Sequence, residues 1–129
     1  MKKFILLLVA ATLLSLGAAR ASASDTAPVS VIHVVTVAWK ADAKPEQIQA
    51  ALDGVKALPA AFPGITHVWV KSIKVQNPEG TVKKRTHVFV MEFKDEQALK
   101  DYSGSAAQKE WYKVYQPVRD ESTTHDITN

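Results

Sequence analysis

The chain has 129 residues, with 16 Lys and Arg, 13 Asp and Glu, no Cys and a formal net charge of +3. This length suits one globular domain. The lack of Cys excludes disulfides, thiolate zinc sites and cysteine nucleophiles. Hydrophobic residues make up 47% of the chain, which excludes a wholly disordered protein.

The first 23 residues are typical of a secretory signal peptide. Lys2 and Lys3 precede an apolar run over residues 4–16, and two Ala-x-Ala patterns end at Ala21 and Ala23. We expect cleavage after Ala23, or as second choice after Ala21, and export to the periplasm or the extracellular space. An uncleaved anchor is the alternative, but the apolar run is shorter than the roughly 20 residues that span a membrane. No stable membrane span is therefore expected after cleavage.

The positive charge of the chain belongs to this predicted signal peptide. Lys2, Lys3 and Arg20 are the charged residues of that segment, and removing these three from 16 leaves 13 basic residues against 13 acidic ones. Binding to a phosphate backbone requires an excess of Lys and Arg. The mature chain is therefore not expected to bind nucleic acid.

Residues 24–30 are predicted to form a flexible lead, and residues 31–129 a single domain. The domain begins with a strand over residues 31–39, which are rich in β-branched side chains. Alternation along this strand places His33 and Val35 on the same face.

A helix is predicted after the first strand. Pro45 suits its first turn, and apolar residues recur at helical spacing until Pro59, which is expected to end the helix. A second strand is predicted over residues 65–75. One face of that strand is expected to carry Ile65, His67 and Trp69.

Turn residues separate the second strand from a third, which is predicted over residues 86–93. Alternation places His87 and Phe89 on one face of this strand. Asp95 is the predicted N-cap of a second helix, and Gly104 is expected to end that helix.

The carboxyl-terminal part is predicted to form a third helix over residues 106–118 and a weak strand over residues 122–128. Ser105 and Gln108 fit a capping box, in which Gln108 returns a hydrogen bond to the backbone of the N-cap residue.

The resulting order, β-α-β-β-α-α-β, predicts an α+β, ferredoxin-like fold: a four-stranded antiparallel sheet with its helices on one face. The opposite face would expose a large apolar patch, which soluble monomers rarely do. We therefore expect a homodimer formed through this face. Its predicted members are Val34, Val68, Val70, Val88 and Val90.

Two histidines and a tyrosine are the candidate functional residues. His33 and His87 have apolar neighbours on their strand faces, and an imidazole in a cavity can bond a carbonyl or exchange a proton near neutral pH. Tyr102 could donate its hydroxyl into the same cavity. The alternatives are buried, hydrogen-bonded core histidines and a tyrosine that packs with its oxygen at the rim.

Other motifs give little support for a named enzyme class. The sequence has no Gly-rich phosphate loop, nucleophile elbow or paired-carboxylate motif. A metal site built from His33, His87 and Asp126 is conceivable, but it lacks typical ligand spacing. No metal or cofactor is therefore predicted.

Short segments of the chain resemble, in order, the stress-responsive α/β-barrel (Dabb) family. They are the first strand, the step from Leu58 and Pro59 to Pro63, Gly64 and Ile65, the strand over residues 86–93, and residues 99–102. The resemblance extends from about Val31 to Ile127. It implies a homodimeric α+β barrel joined through the sheets, in a family most of whose members have no established activity.

The resemblance also implies a candidate chemistry. A plant cyclase of the family closes a polyketide ring without a cofactor. Its strand histidines match His33 and His87, and its catalytic tyrosine matches Tyr102. Its catalytic base is a histidine where this chain has Gln108, and a glutamine side chain has no pKa that suits a general base.

Three functions are consistent with the sequence. The first is an exported homodimer that binds a small, mostly apolar ligand between sheet and helices. The second is a cofactor-independent cyclase, lyase or isomerase with His33 or His87 as base and Tyr102 as hydrogen-bond donor. The third is a stress-response interaction protein without catalytic activity. The expected ligand-binding residues are His33, Val35, Trp39, His87, Phe89, Tyr102, Gln108 and Trp111.

Overall fold

The computed structural model describes residues 29–74 and 84–128. The predicted signal peptide, its cleavage site and most of the predicted lead lie outside the described residues. Within the two described stretches, no helix combines the length and the apolar character needed to cross a membrane.

Seven elements follow in the predicted order. They are β1 (Val31–Trp39), α1 (Pro45–Ala61), β2 (Ile65–Ser72), β3 (His87–Phe93), α2 (Glu96–Tyr102), α3 (Ala106–Tyr115) and β4 (Arg119–Ile127). The sheet has the order β2-β3-β1-β4, and each neighbouring pair of strands is antiparallel. The helices cover one face of the sheet. The predicted ferredoxin-like fold is therefore confirmed.

Several element boundaries differ from the prediction. The strand β2 ends at Ser72 and not at residue 75, and the helix α3 ends at Tyr115 and not at residue 118. The helix α1 continues for two residues beyond Pro59, although a proline inside a helix removes one backbone hydrogen bond and crowds the carbonyl four residues before it. The helix closes where the N–H of Phe62 donates to the carbonyl of Leu58 at 2.8 Å. The strand β4 begins at Arg119, earlier than predicted, because this residue pairs with Trp39 of β1.

The core lies between the helices and one face of the sheet. Every second residue of β1 and β3 points into it, as the alternation predicted. Burial of each such aliphatic or aromatic side chain contributes about 1.5–3 kcal/mol. The fully buried members from these two strands are Val31, Val37, Phe89, Met91 and Phe93.

A β-bulge at the start of β2 decides which of its side chains face the core. Ile65 pairs with Phe93, and the next pair is His67 with Glu92, so β2 holds one extra residue. Residues after a bulge change faces, because side chains alternate along a strand. The predicted common face of Ile65, His67 and Trp69 is therefore wrong: Ile65 is buried, whereas the other two lie on the opposite face.

The bulge also changes which residues lie on the outer face of the sheet. Val68 and Val70 pack against the core, so they do not belong to the predicted dimer face. Trp69 takes their place on the outer face and is 47% exposed. The other predicted members of that face, which are half-buried in one chain, are Val34, Val88 and Val90.

Candidate functional site

The structure separates the two candidate histidines. His33 pairs across the sheet with Met91, whereas His87 pairs with Val37. Four positions along a strand correspond to about 13 Å. The two imidazoles therefore lie at opposite ends of the helix-facing side of the sheet and do not form a polar pair in one cavity.

At the end of the sheet near His87, the polar groups satisfy each other. The indole N–H of Trp39 donates to Nδ1 of His87 at 2.9 Å, and the Thr86 hydroxyl lies 3.0 Å from the same nitrogen. An indole N–H can only donate, so this Nδ1 carries no proton. Burial lowers the pKa of His87, which favours the neutral ring. His87 and Trp39 thus fit the alternative of a packed, hydrogen-bonded pair.

A cavity of about 80 Å³ lies at the opposite end, between the sheet and the helices α2 and α3. The predicted ligand-binding residues that line it are His33, Val35, Phe89, Tyr102, Gln108 and Trp111. Trp39 and His87 do not line it. The lining residues that the sequence analysis missed are Met91, Tyr112, Tyr115, Arg119, Ser122 and Thr124.

An ion-pair-like contact fixes the imidazole of His33. The register of β1 and β4 places His33 opposite Asp126, and its Nδ1–H donates to a carboxylate oxygen of Asp126 at 2.5 Å. The ring also packs edge-on against Phe93. Because a carboxylate only accepts, the proton is on Nδ1, and Nε2 is the acceptor of the neutral ring.

Two buried tyrosine hydroxyls line the same cavity. Tyr102 and Tyr115 are each 2% exposed, and neither hydroxyl has a hydrogen-bond partner among the described residues. Burial raises the pKa of both hydroxyls, so both remain protonated and can donate near neutral pH. A buried polar group without a partner costs about 1–3 kcal/mol.

Gln108 both caps α3 and lines the cavity. Its backbone N–H donates to the Ser105 hydroxyl at 3.2 Å, which confirms the cap. Its side-chain oxygen accepts from the backbone N–H of Gly104 at 2.6 Å, one residue before the predicted partner. Its amide N–H donates to the Tyr112 hydroxyl at 3.4 Å. The side chain is therefore held in place by bonds at both ends.

Trp111 forms a fixed wall of the cavity. Its indole N–H donates to the carbonyl of Ala51 at 2.9 Å, and its ring stacks on Tyr115 at 4.5 Å. A Cβ at Gly54 would lie 2.8 Å from the Trp111 ring, so glycine makes room for the indole. On its other side, Trp111 borders a wider groove between α1 and α3.

Comparison with known proteins identifies a family for this chain. Residues 31–129 match the family described as the Stress responsive A/B Barrel Domain, or Dabb. The chain belongs to the Dabb family. Among curated proteins, none matches this Dabb chain.

Solved structures share the fold of the Dabb chain at low identity. A Dabb family protein from Mesorhizobium loti is 19% identical, with a TM-score of 0.61 over 78% of this chain and 96% of that one. A hydroxynitrile lyase from Passiflora edulis is 17% identical, with a TM-score of 0.67 over 78% and 94%. A dimeric ferredoxin-like protein from Thermobifida fusca is 13% identical, with a TM-score of 0.64 over 79% and 92%. These likenesses establish the fold alone.

The cavity of this Dabb domain can hydrogen-bond a polar molecule and exchange a proton with it. Tyr102, Tyr115 and Arg119 supply donors, and Nε2 of His33 supplies an acceptor. In the described part of the chain, no three His, Asp or Glu side chains cluster as metal ligands do. The conceivable metal site of His33, His87 and Asp126 does not form, because the two imidazoles lie at opposite ends of the sheet.

The register of β4 explains why residues that the sequence analysis missed line the cavity. Ser122 and Thr124 pair with Val37 and Val35, whose side chains face the helices, so theirs do too. The weak strand propensity of this segment predicted that a strand forms there, but it did not predict which strand it pairs with or in which register. A bulge between Arg119 and Glu121 puts Arg119 on the same face as Ser122 and Thr124, which simple alternation along β4 would not predict.

Proposed function

We propose that this Dabb protein is an exported homodimer that binds a small organic molecule in the cavity between its sheet and the helices α2 and α3. The observation that carries the proposal is the pair of unpartnered, buried hydroxyls of Tyr102 and Tyr115 in one cavity. Buried polar groups in proteins are nearly always hydrogen-bonded. A bound molecule with polar atoms would satisfy both.

The lining supports a ligand with an apolar body and a polar end. Val35, Phe89 and Met91 supply apolar walls, but most of the surface lining the cavity is polar, so the ligand would be more polar than the mostly apolar one expected from the sequence. The hydroxyls, His33 and Arg119 lie on the remaining walls and favour a polar group as well. A volume of about 80 Å³ is smaller than the roughly 150 Å³ cavity that holds benzene, so the ligand would have few heavy atoms.

The outer face of the sheet supports the homodimer. Val34, Val88 and Val90 lie there beside the exposed rings and side chains of Trp69 and Ile127, which are 47% and 60% exposed. Pairing of two such faces would bury this apolar surface. Light scattering on the chain without residues 1–23 should give twice the monomer mass, and Val90→Asp should give the monomer. A monomeric wild type at micromolar concentration would contradict the dimer.

Export is proposed from residues 1–23, which have the basic, apolar and small-residue regions of a signal peptide. The full-length gene product should be recovered outside the cytoplasm with an amino terminus at Ser24 or, as second choice, at Ser22. Intact Met1 on exported protein would contradict the cleavage, and exclusively cytoplasmic protein would contradict export.

Native mass spectrometry of the exported protein tests the ligand site. The wild type is expected to retain an added mass. The double variant Tyr102→Phe with Tyr115→Phe keeps both rings but loses both hydroxyls, and is expected to lose the added mass. Trp39→Phe, at the far end of the sheet, is the control that retains it. Wild type without added mass, or retention by the double variant, would contradict the proposal.

A second candidate is a cofactor-independent cyclase, lyase or isomerase, and the contact of His33 with Asp126 favours it. A carboxylate that accepts from Nδ1–H orients the ring and leaves Nε2 as the nitrogen that could accept a proton from a substrate. His87 is a poorer base, because its Nδ1 accepts from Trp39. Trial substrates are β-dicarbonyl compounds, which a cyclase or lyase could convert, and cyanohydrins, because a hydroxynitrile lyase shares this fold.

A pH–rate profile with matched variants tests this second candidate. His33→Ala should abolish turnover of any active substrate, whereas His87→Ala should retain it in protein that is still folded. Turnover that survives His33→Ala would remove His33 as the base.

A further inference from the structure

We infer that the cavity binds its ligand through a carboxylate group, which Arg119 holds. This inference rests on the proposed ligand-binding function and names the chemical class of the ligand. The residues that carry it are those around Arg119, which no sequence motif indicated.

Arg119 is the first residue of β4 and lies at the polar end of the cavity. Its guanidinium carbon lies 5.6 Å from the centre of the Tyr115 ring. One of its terminal nitrogens donates to the Ser122 hydroxyl at 3.3 Å. Its Nε is buried and has no hydrogen-bond partner among the described residues. The guanidinium is thus positioned by an aromatic face and a hydroxyl, with one N–H left unsatisfied.

The walls of the cavity do not supply an acceptor that suits this cation. None of the described residues that line the cavity is an Asp or a Glu. The carboxylate of Asp126, on the same strand, is engaged by His33. A buried charged donor without an acceptor is more costly than a neutral one. A negatively charged group on the ligand would remove this cost.

The other polar groups at this end are also donors. The Tyr115 hydroxyl lies beside Ser122 and Arg119 but makes no hydrogen bond of ordinary geometry. The Tyr102 hydroxyl has no partner either. The Tyr112 hydroxyl accepts from Gln108, which leaves its own proton for the cavity. The Nε–H of Arg119 and these tyrosine hydroxyls are therefore free to donate to a ligand group that only accepts.

Geometry and size favour a carboxylate among such groups. A guanidinium presents planar, paired N–H donors that match the two oxygens of a carboxylate. The cavity of about 80 Å³ corresponds to the liquid volume of two to three water molecules. A carboxylate with a short chain fits this volume, and its chain would contact the apolar walls.

Titration of the chain lacking residues 1–23 with acetate and acetamide tests the inference. The two probes have nearly the same shape, but only acetate is charged. Binding is followed by the backbone amide chemical shifts of Ser122 and Thr124, at constant ionic strength and pH 7. Acetate should bind about tenfold more tightly or better, because hydrogen bonds to a charged group are the stronger kind.

Variants of Arg119 test its role, and a variant of Arg85 provides the matched control. Arg119→Gln should abolish the preference for acetate, and Arg119→Lys should retain part of it. Arg85→Gln removes the same charge from the outer face, where Arg85 pairs with Glu121, and should leave the preference unchanged. Circular dichroism and thermal melting identify any variant that has lost its fold. The acetate preference of the wild type tests the inference even if a variant does not fold.

The outcomes separate the inference from the proposed function. Equal binding of acetate and acetamide, unaffected by Arg119→Gln, would overturn the carboxylate inference and leave a site for neutral molecules. No shift with either probe at high concentration would also overturn it. The ligand-binding proposal itself fails when the exported wild type carries no added mass in native mass spectrometry, or when the double variant Tyr102→Phe with Tyr115→Phe retains it.

Discussion

The two ends of the helix-facing side of the sheet use histidine in different ways. At one end, the Nδ1 of half-buried His87 accepts from Trp39, whose ring packs edge-on against the imidazole. At the other, His33 borders a cavity in which the hydroxyls of Tyr102 and Tyr115 and the Nε of Arg119 have no hydrogen-bond partner among the described residues. The comparison shows that an inward histidine on a strand is structural where its neighbours satisfy it. It becomes a candidate for function where several surrounding polar groups remain unsatisfied.

The largest expected effect tests the packed end. Trp39→Ala removes an indole that contacts both His87 and Tyr115, and should lower the free energy of unfolding by about 3 kcal/mol. Trp39→Phe keeps most of the packing but removes the N–H donor, and should cost about 1 kcal/mol. Urea unfolding of the mature chain measures both. Wild-type stability in Trp39→Ala would show that this end is not a packed part of the core.

The next effect tests the size of the cavity. Trp111 is anchored to Ala51 and stacked on Tyr115, so it should not yield to a larger ligand. Benzoate is therefore expected to bind at least about tenfold more weakly than acetate or propionate, since benzene alone occupies a cavity near 150 Å³. Competition by benzoate at the affinity of acetate would show that the wall moves.

Removal of an unpartnered hydroxyl at the cavity should raise the free energy of unfolding, whereas the Trp39 substitutions lower it. Tyr115→Phe eliminates a buried donor without changing the ring, and should raise the free energy of unfolding of the ligand-free protein by about 1 kcal/mol. The same variant should bind acetate more weakly. Chemical denaturation and titration measure the two changes. A loss of stability in Tyr115→Phe would indicate that its hydroxyl is already satisfied in the folded protein.

The smallest expected effect is a pH dependence at the packed end. Burial lowers the pKa of His87 in the folded protein, so the unfolded chain binds a proton there at a higher pH. The free energy of unfolding should therefore fall as the pH drops from 7.5 through the usual histidine pKa near 6.5. His87→Gln retains a side-chain acceptor for Trp39 and should lose less stability between pH 7.5 and 5.5. Equal losses in the two proteins would rule out this contribution of His87.

The sequence predicted the order of elements because its patterns are strong where the fold is regular. Alternation in β1 and β3 placed Val35 on the face of His33 and Phe89 on the face of His87, and both side chains face the helices. The bulge in β2 could not be predicted, because residues 65–67 contain neither Gly nor Pro. It arises from pairing with β3, which a local pattern does not describe.

The candidate site was predicted only in part, and for a physical reason. His33, Tyr102 and Trp111 line the cavity, but its polar end depends on Arg119, whose place is set by pairing of β4 with β1. His87 has the same alternation and the same apolar neighbours as His33. Only the position of Trp39 in three dimensions distinguishes the two histidines.

The central claim, that one end of the sheet is a ligand site and that the other is held by the Trp39–His87 hydrogen bond, can be tested with two indole reporters. Trp111 lines the cavity, and Trp39 lies beside His87. In a ¹H–¹⁵N titration of the mature chain with acetate, the indole resonance of Trp111 should shift and saturate, while that of Trp39 should stay in place. A shift of the Trp39 indole with a stationary Trp111 indole would contradict the account.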